Sequence, residues 1–391
     1  MAMHRTIVIG RGLIGSAATR HLAENTDGVA CVGPDEPQDL ASHTGVFASH
    51  YDEGRLTRIF DPAQEWSITA KRSIERYRDL EDRSGIGFFT PSGFLGLGDP
   101  GTDYNHRGAS AAVANGAVVD RLDADGIRAQ FPFLSVADDA DGLVETGTAG
   151  HISPRRLVRA QTNLAEQAGA TIIRQAAGAI RPITGAVEVE LADGSTVTAE
   201  KALIATGAFT GPCGLCPVNL GLTVYGRTVV LARIEGDAAD VLQNMPTMVV
   251  SANGAYILPP IQYPDGHFYV KIGIGTDADP RFGTLVDLQR WFKGPGSDGD
   301  RVDFTNFLTS LIPLLKDCQH WQTASCAVTK TGSGLPIIDF VHDGRIAVAV
   351  GGCGKGAKGS DEWGRIASDV VRGAEWSADV PREKLSLPKS D

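Results

Sequence analysis

Residues 6–15 read Thr-Ile-Val-Ile-Gly-Arg-Gly-Leu-Ile-Gly, a β-branched run that leads straight into Gly10-x-Gly12-x-x-Gly15. In such a run the first glycine permits a tight turn, the second lets a backbone approach a pyrophosphate, and the third lets the following helix pack closely on the strand. The context suits that reading. Leu13, Ala17, His21 and Leu22 share one face of a helix expected over residues 13–25, and Val29 to Val32 reads as the returning strand. A dinucleotide is therefore expected at the N-terminal end, with Gly10, Gly12, Leu13, Ile14 and Gly15 beside it. The fingerprint leaves open which one. Where an NAD site usually carries Asp or Glu, this chain has Gly33 followed by Pro34; Asp35 and Glu36 either reach back from the turn or are solvated loop carboxylates.

A chain of 391 residues has room for two domains, or for one large domain with a second built into it. Its formal charge of -11 argues against nucleic acid or an anionic membrane surface as a partner, since both would be repelled. Against that acidic background, lysines and arginines grouped in a pocket would stand out. No apolar signal core precedes Thr6, and no later segment approaches membrane-spanning length without Gly or charge, so a cytoplasmic protein is expected. Six cysteines are too sparse for a disulfide framework. Cys213-x-x-Cys216 lacks a second ligand pair, so no metal is expected there; it is either a redox pair or two thiols of a Gly/Pro-rich loop.

Farther along, Trp66, Ala70, Ile74, Tyr77 and Leu80 recur at helical spacing, and residues 88–98 look like strands with turns. Ser153-Pro154 opens a second helix bearing Leu157, Ala160, Leu164 and Ala168 on one face. A strand at Thr171 to Ile173 follows, then a hairpin from Val187 to Leu191 and Thr196 to Thr198 around Asp193-Gly194. A further strand from Lys201 ends in Ala205-Thr206-Gly207. Residues 223–339 read as alternating strands with one helix near Phe304 to Leu315. Two buried parallel-type strands, 337–340 and 345–350, come next, then a glycine-rich loop and a last helix from Ser360; the tail after Val380 looks loose. The order helix, strand, hairpin, strand ending in Ala-Thr-Gly resembles the glutathione-reductase-like FAD fold.

Three stretches carry a closer resemblance: Cys326-Ala-Val-Thr329-Lys330-Thr331, Pro336 to Asp339, and Gly351-Gly-Cys-Gly-Lys-Gly-Ala-Lys358. With Ser42-His43-Thr44-Gly45, Arg55-x-x-Arg58 and Gly150-His151-Ile152, they resemble the monomeric sarcosine oxidase and N-methyltryptophan oxidase family over nearly the whole chain. The resemblance implies an α/β (α+β) protein: a Rossmann-like FAD-binding domain from residues 1–85, 150–215 and 325–391, and an inserted antiparallel-sheet substrate domain from 86–149 and 216–324. It implies FAD held by the N-terminal glycines, by Ser42, His43, Thr44, Arg55 and Gly207, and by Gly352, Gly354, Gly356 and Lys358 of the last loop. Cys326 takes the place of covalent flavin attachment, where a cation such as Lys330 would lower the thiol pKa. Arg58 and Lys358 take the place of a carboxylate clamp, and Lys271, in the apolar strand Tyr269-Val-Lys-Ile-Gly, that of the lysine assisting oxygen reduction. Without the resemblance these residues read as a buried thiol, a solvated arginine pair and a water-facing strand lysine.

The chain also departs from the family pattern. The substrate-side histidine four residues after the oxygen-site lysine is Gly275, the acidic ribose ligand is Gly33, the aromatic after the flavin cysteine is Val328, and extra residues lie between Gly45 and Arg55. The implied activity is oxidation of a secondary or N-substituted amino acid by FAD, with oxygen as acceptor, peroxide as product and an imine that hydrolyses. The expected partners are a small amino-acid-like substrate and oxygen, and the expected state a monomer or small homo-oligomer. The alternatives are a dehydrogenase passing electrons to another acceptor and an NAD-dependent dehydrogenase using only the N-terminal motif.

Overall fold

The computed structural model describes residues 3–98 and 103–387. Strand His4–Ile9 lies at the centre of an eight-stranded sheet, parallel to Val29–Val32 on one side and to Thr196–Ile204 on the other. Thr171–Ile173 extends it in parallel beyond Val29–Val32, and Ile346–Val350 pairs in parallel with the end of Thr196–Ile204. Alternation along these strands splits the core between two faces. Val8, Cys31, Leu203, Ala347 and Ala349 pack under the helices, whereas Ile7, Ile9, Ala30, Ala202, Ile204 and Val348 pack toward Val187, Val189 and Leu191 of the hairpin.

Four helices, Leu13–Ala23, Gln64–Ser84, Pro154–Gln167 and Ser360–Arg372, pack together. Ser153 caps the third through its hydroxyl, ahead of proline at the first helical position. A buried charged cluster joins all four. Asp361 accepts from Arg20 (2.7 Å), Gln161 (2.7 Å) and Arg76 (2.5 Å), and Arg76 also reaches Glu362 (2.6 Å).

The second sheet has nine strands and is antiparallel except where Thr247–Val250 meets Phe94–Gly98. Thr223–Ile234 is its longest strand and pairs with both Phe268–Gly273 and Trp321–Lys330. One face carries the largest apolar cluster, closed by helix Asp298–Leu311. A three-stranded sheet of Arg55–Thr57, Gly150–Ile152 and Phe89–Thr90 completes the strands. The architecture is thus the α+β one expected: a Rossmann-like parallel region with an inserted, largely antiparallel sheet.

Several local expectations need correction. The two strands expected at 196–198 and from Lys201 are one, because Thr196–Ile204 pairs with the hairpin through its first half and with the parallel sheet through its second. Ile337–His342 is antiparallel to Ile346–Val350, the chain reversing through left-handed Asp343 and Gly344. The single helix expected between 223 and 339 is accompanied by Asp237–Leu242 and Leu285–Lys293, and helices Asp103–Ala114 and Ala124–Gln130 were not foreseen. These are short or poor in apolar periodicity and owe their form to packing. The tail is docked through Val380 and Leu385, both buried in the helix-side core; residues 388–391 lie outside the described residues.

Candidate active site

A cavity of about 570 Å³ runs from the end of strand His4–Ile9 to the second sheet. At one end are the glycines of the N-terminal turn. Gly10 has φ +103° and packs so tightly on Ala205 that no side chain fits. A Cβ on Gly15 would collide with the Gly10 carbonyl, so only glycine lets the helix start this close to the strand. Gly12 faces open space at the N-terminus of Leu13–Ala23, which has no side-chain cap and no acidic residue in its first turn. The helix therefore offers unsatisfied N–H groups and a positive dipole end to the cavity, which suits an anionic pyrophosphate.

Gly33 also has a structural cause. A Cβ there would lie 2.6 Å from that of Arg11, whose side chain crosses the strand end and donates to the carbonyls of Gly33 (3.2 Å) and Pro34 (3.1 Å) and pairs with Asp35. Asp35 is thus engaged by Arg11, and Glu36 pairs with Arg155.

The charge of the cavity wall is unlike that of the chain. Arg11, Arg55, Arg58, Arg227, Lys355 and Lys358 line it, together with His50, and among the described residues no carboxylate does. Most of these cations have an acidic partner outside the lining: Asp35 for Arg11, Asp52 for Arg55, Asp279 for Arg227, and Asp61 for both lysines. Asp61 is fully buried and accepts from Lys355 and Lys358 at 2.8 Å each. Burial alone would raise its pKa, but Lys358, Lys355 and Arg58 hold it well below the usual carboxylate range. Burial, aided by Arg58 and Lys355, lowers Lys358 to about 7 against the opposing pull of Asp61.

Arg58 differs from the rest. It is 7 % exposed and pairs with no carboxylate among the described residues; its buried Nε has no hydrogen-bond partner, and its Nη2 donates to the Tyr104 hydroxyl at 3.1 Å. The guanidinium carbon lies 4.5 Å from the centre of the Phe94 ring. Its backbone is fixed by Glu145, a fully buried residue of the second sheet whose carboxylate accepts from the amides of Ile59 (3.0 Å) and Phe60 (2.7 Å). A desolvated cation with free donors facing a cavity is a seat for an anionic ligand.

The other expected site residues divide. Gly10, Gly12, Leu13, Ile14, Arg55, Arg58, Gly207, Cys326, Gly352, Gly354, Gly356 and Lys358 all line the cavity. Gly15 lies just behind it as the packing glycine. Ser42, His43 and Thr44 do not line it. Ser42 bonds Asp39, His43 bonds the Val46 carbonyl, and the carbonyls of Thr44 and Gly45 take Gln289, while residues 46–51 of the extra segment form the wall. Lys271 also stays behind the wall. It is 1 % exposed and gives its ammonium to Asp52 and to the Gly54 carbonyl at 2.9 Å, so the extra segment supplies its partners.

Cys326 lies across the strand pair from Arg227. The cation expected beside it, Lys330, is instead exposed and stands over the Tyr225 ring at 5.0 Å. Asp61, Glu145 and Arg227 escaped the sequence reading. The available signal was a charge inside an apolar run: Asp61 after Ile59-Phe60, and Arg227 between alternating residues of a strand.

Comparison with known proteins agrees with this geometry. Residues 5–370 match the family described as FAD dependent oxidoreductase (DAO). Monomeric sarcosine oxidase of Bacillus sp. (strain B-0618) is 26% identical, over 98% of this chain and 95% of that protein. N-methyl-L-tryptophan oxidase of Escherichia coli (strain K12) is 27% identical, over 97% and 98%. Among solved structures, L-proline dehydrogenase from P. horikoshii superposes with a TM-score of 0.77 at 17% identity, covering 98% of this chain and 96% of that one, a likeness of fold. With the uncapped helix end, Gly10 and Gly15 tightly packed, Gly12 open to the cavity and a match spanning nearly its full length, the chain belongs to the FAD dependent oxidoreductase family.

Proposed function

We propose that this protein oxidises a secondary or N-substituted amino acid at the carbon next to nitrogen, giving an imine that water hydrolyses. The observation that carries the reading is Arg58, buried without a carboxylate partner among the described residues in a cavity walled by cations. Arg58 holds the substrate carboxylate by two parallel hydrogen bonds, and Lys358, braced by Asp61, adds a point charge. Gly10, Gly12, Leu13, Ile14 and the helix N-terminus would hold the FAD pyrophosphate; Gly207, Arg55, Cys326 and the loop Gly352 to Gly356 would surround the ring. When bound, FAD supplies a two-electron acceptor for the substrate C–H hydride and, with oxygen, releases peroxide. The cationic wall lowers the energy of negative charge developing on that acceptor. Cys326, with Arg227 as cross-strand neighbour, is our proposed covalent attachment point.

A second reading rests on Lys271. Its ammonium is held by Asp52 and Gly54 behind the wall, which favours delivery of electrons to an acceptor other than oxygen. One experiment separates these. Anaerobic addition of N-methyl amino acids, pipecolate, proline and glycated amino acids should bleach the flavin, and admitted oxygen should restore it with one peroxide per turnover. Bleaching followed by recovery only with an artificial acceptor selects the dehydrogenase; no bleaching by any amine refutes the proposal. Acid precipitation tests Cys326: pigment stays with the precipitate of the parent protein and is released from Cys326→Ser.

Lys358 gives the site a pH signature. With its pKa near 7, it is charged below that value and neutral above it. The affinity for a carboxylate ligand without an amine, such as (methylthio)acetate, should therefore fall by up to about ten-fold per pH unit as pH rises through 7. Lys358→Met should flatten the profile; an unchanged slope assigns the titration elsewhere.

A further inference from the structure

The place taken in related sequences by a substrate-side histidine is Gly275, and the space above it is occupied. A Cβ built on Gly275 would lie 2.7 Å from Nη2 of Arg227 and 3.0 Å from its guanidinium carbon. Arg227 reaches there from strand Thr223–Ile234, its side chain 14 % exposed, and both residues line the cavity.

Behind Arg227 stands Asp279, its side chain 1 % exposed and itself fixed by the Thr276 amide at 3.0 Å. Asp279 is the ion-pair partner of Arg227, while Nη2 and Nε lie over Gly275. A guanidinium carries five N–H donors, so a pair at one corner leaves the opposite edge to offer. The neighbours of Arg58 are Tyr104 and Phe94, and those of Arg227 are Tyr225, Asp279 and Gly275; the two sets do not overlap. The cavity thus holds two arginine seats, Arg58 just beyond strand Arg55–Thr57 and Arg227 within strand Thr223–Ile234, and among the described residues no carboxylate lines it to repel an anion.

We infer that Arg227 is a specificity residue that seats a second acidic group of the substrate, so that the preferred substrate is an amino acid with a further carboxylate on its side chain or its nitrogen substituent. This rests on the amino-acid oxidation proposed above, with Arg58 taking the first carboxylate. Arg227 makes the Gly275 position serve an anion, because the fork can pair with a carboxylate that a neutral imidazole would merely hydrogen-bond. The glycine is part of the device, since any side chain there would displace the fork.

The test uses the flavin-loaded protein and matched pairs that differ in one acid: iminodiacetate against sarcosine, and N-methyl aspartate and N-methyl glutamate, each enantiomer, against N-methyl alanine and N-methyl 2-aminobutyrate. The reading is the anaerobic flavin-reduction rate constant divided by the dissociation constant. The acidic member of at least one pair should be preferred by about ten-fold or more. Arg227→Met combined with Asp279→Asn, which leaves no buried charge unpaired, should erase that preference. So should Gly275→Ala, which moves the fork aside while keeping its charge and its partner. Arg58→Met should instead weaken both members of every pair. Equal or better use of the neutral members in all pairs overturns the inference, as does a preference that survives both Arg227→Met/Asp279→Asn and Gly275→Ala. Failure of every compound to reduce the flavin sinks the amino-acid reading and this inference together; turnover of the neutral members without an acidic preference sinks only the second.

Discussion

Arg58→Met lowers kcat/KM for the amino-acid substrate by about 10²–10³-fold, while flavin content and melting temperature stay near those of the parent. The size follows from losing a desolvated, hydrogen-bonded charge partner, which costs about 3–4 kcal/mol at roughly 1.4 kcal/mol per factor of ten. Flavin content is spared because the glycine turn and the uncapped helix that would take the pyrophosphate are built by other residues. Stability is spared because no carboxylate among the described residues is left unpaired when Arg58 goes. Arg58→Lys should recover only part of the loss, since an ammonium cannot match a carboxylate with two parallel bonds. Steady-state kinetics with a cofactor-saturated enzyme decides this; a change below three-fold for both variants would remove Arg58 from the clamp.

Asp361→Asn destabilises the protein by about 3–5 kcal/mol, without Asp361 touching the cavity. Asp361 is fully buried and neutralises Arg20 and Arg76, which belong to two different helices; Gln161 of a third also donates to it. Burial by itself would raise its pKa, but His21, Arg20 and Arg76 keep it well below the ordinary carboxylate range, so it is charged at neutral pH. An amide in its place removes the charge that Arg20 and Arg76 share in the packed centre of the four helices, leaving Arg20 only the more exposed Glu24 and Arg76 only Glu362. Thermal unfolding of the flavin-saturated protein should show a loss of roughly 4–6 °C, because a chain of 391 residues unfolds with a large entropy. Asp361→Leu should cost at least as much, since the cations then lose their acceptors as well. A loss under 1 kcal/mol for Asp361→Asn would mean that water or Glu362 takes over the pairing.

Asp361 and Glu362 directly follow Ser360, where the last helix is expected to open, and they stand in its first turn. There they complement the helix dipole, which is the local half of their role. The other half, binding Arg20, Gln161 and Arg76, involves residues 200 to 341 positions away, and no periodicity of the chain expresses it. Asp61 gives the same lesson. Its partners Lys355 and Lys358 lie almost three hundred residues on, in a loop whose lysines had been noticed while the acid had not.

The extra residues between Gly45 and Arg55 show the limit of transfer by resemblance. Aligned motifs place Ser42, His43 and Thr44 beside the cofactor, but the inserted stretch forms the wall, and its Asp52 takes the ammonium of Lys271. An insertion can be read from a sequence; where its side chains return to the fold cannot. Gly33 and Gly275, both recorded as missing side chains, became intelligible only when Arg11 and Arg227 were found in the space they leave.

By itself the sequence determined the βαβ unit, the glycine turn at one end of the cavity, most of the helices and strands that frame it, and the residue types on the last loop. These depend on hydrophobic period and on glycines whose conformation is set within a few residues. Only the tertiary structure decided which cations are already paired, which one has no carboxylate partner among the described residues, and which side chain fills a glycine's place. Burial and pairing of charge come from segments far apart in the chain, and the cost of leaving a charge unpartnered is set by the surroundings that folding assembles around it.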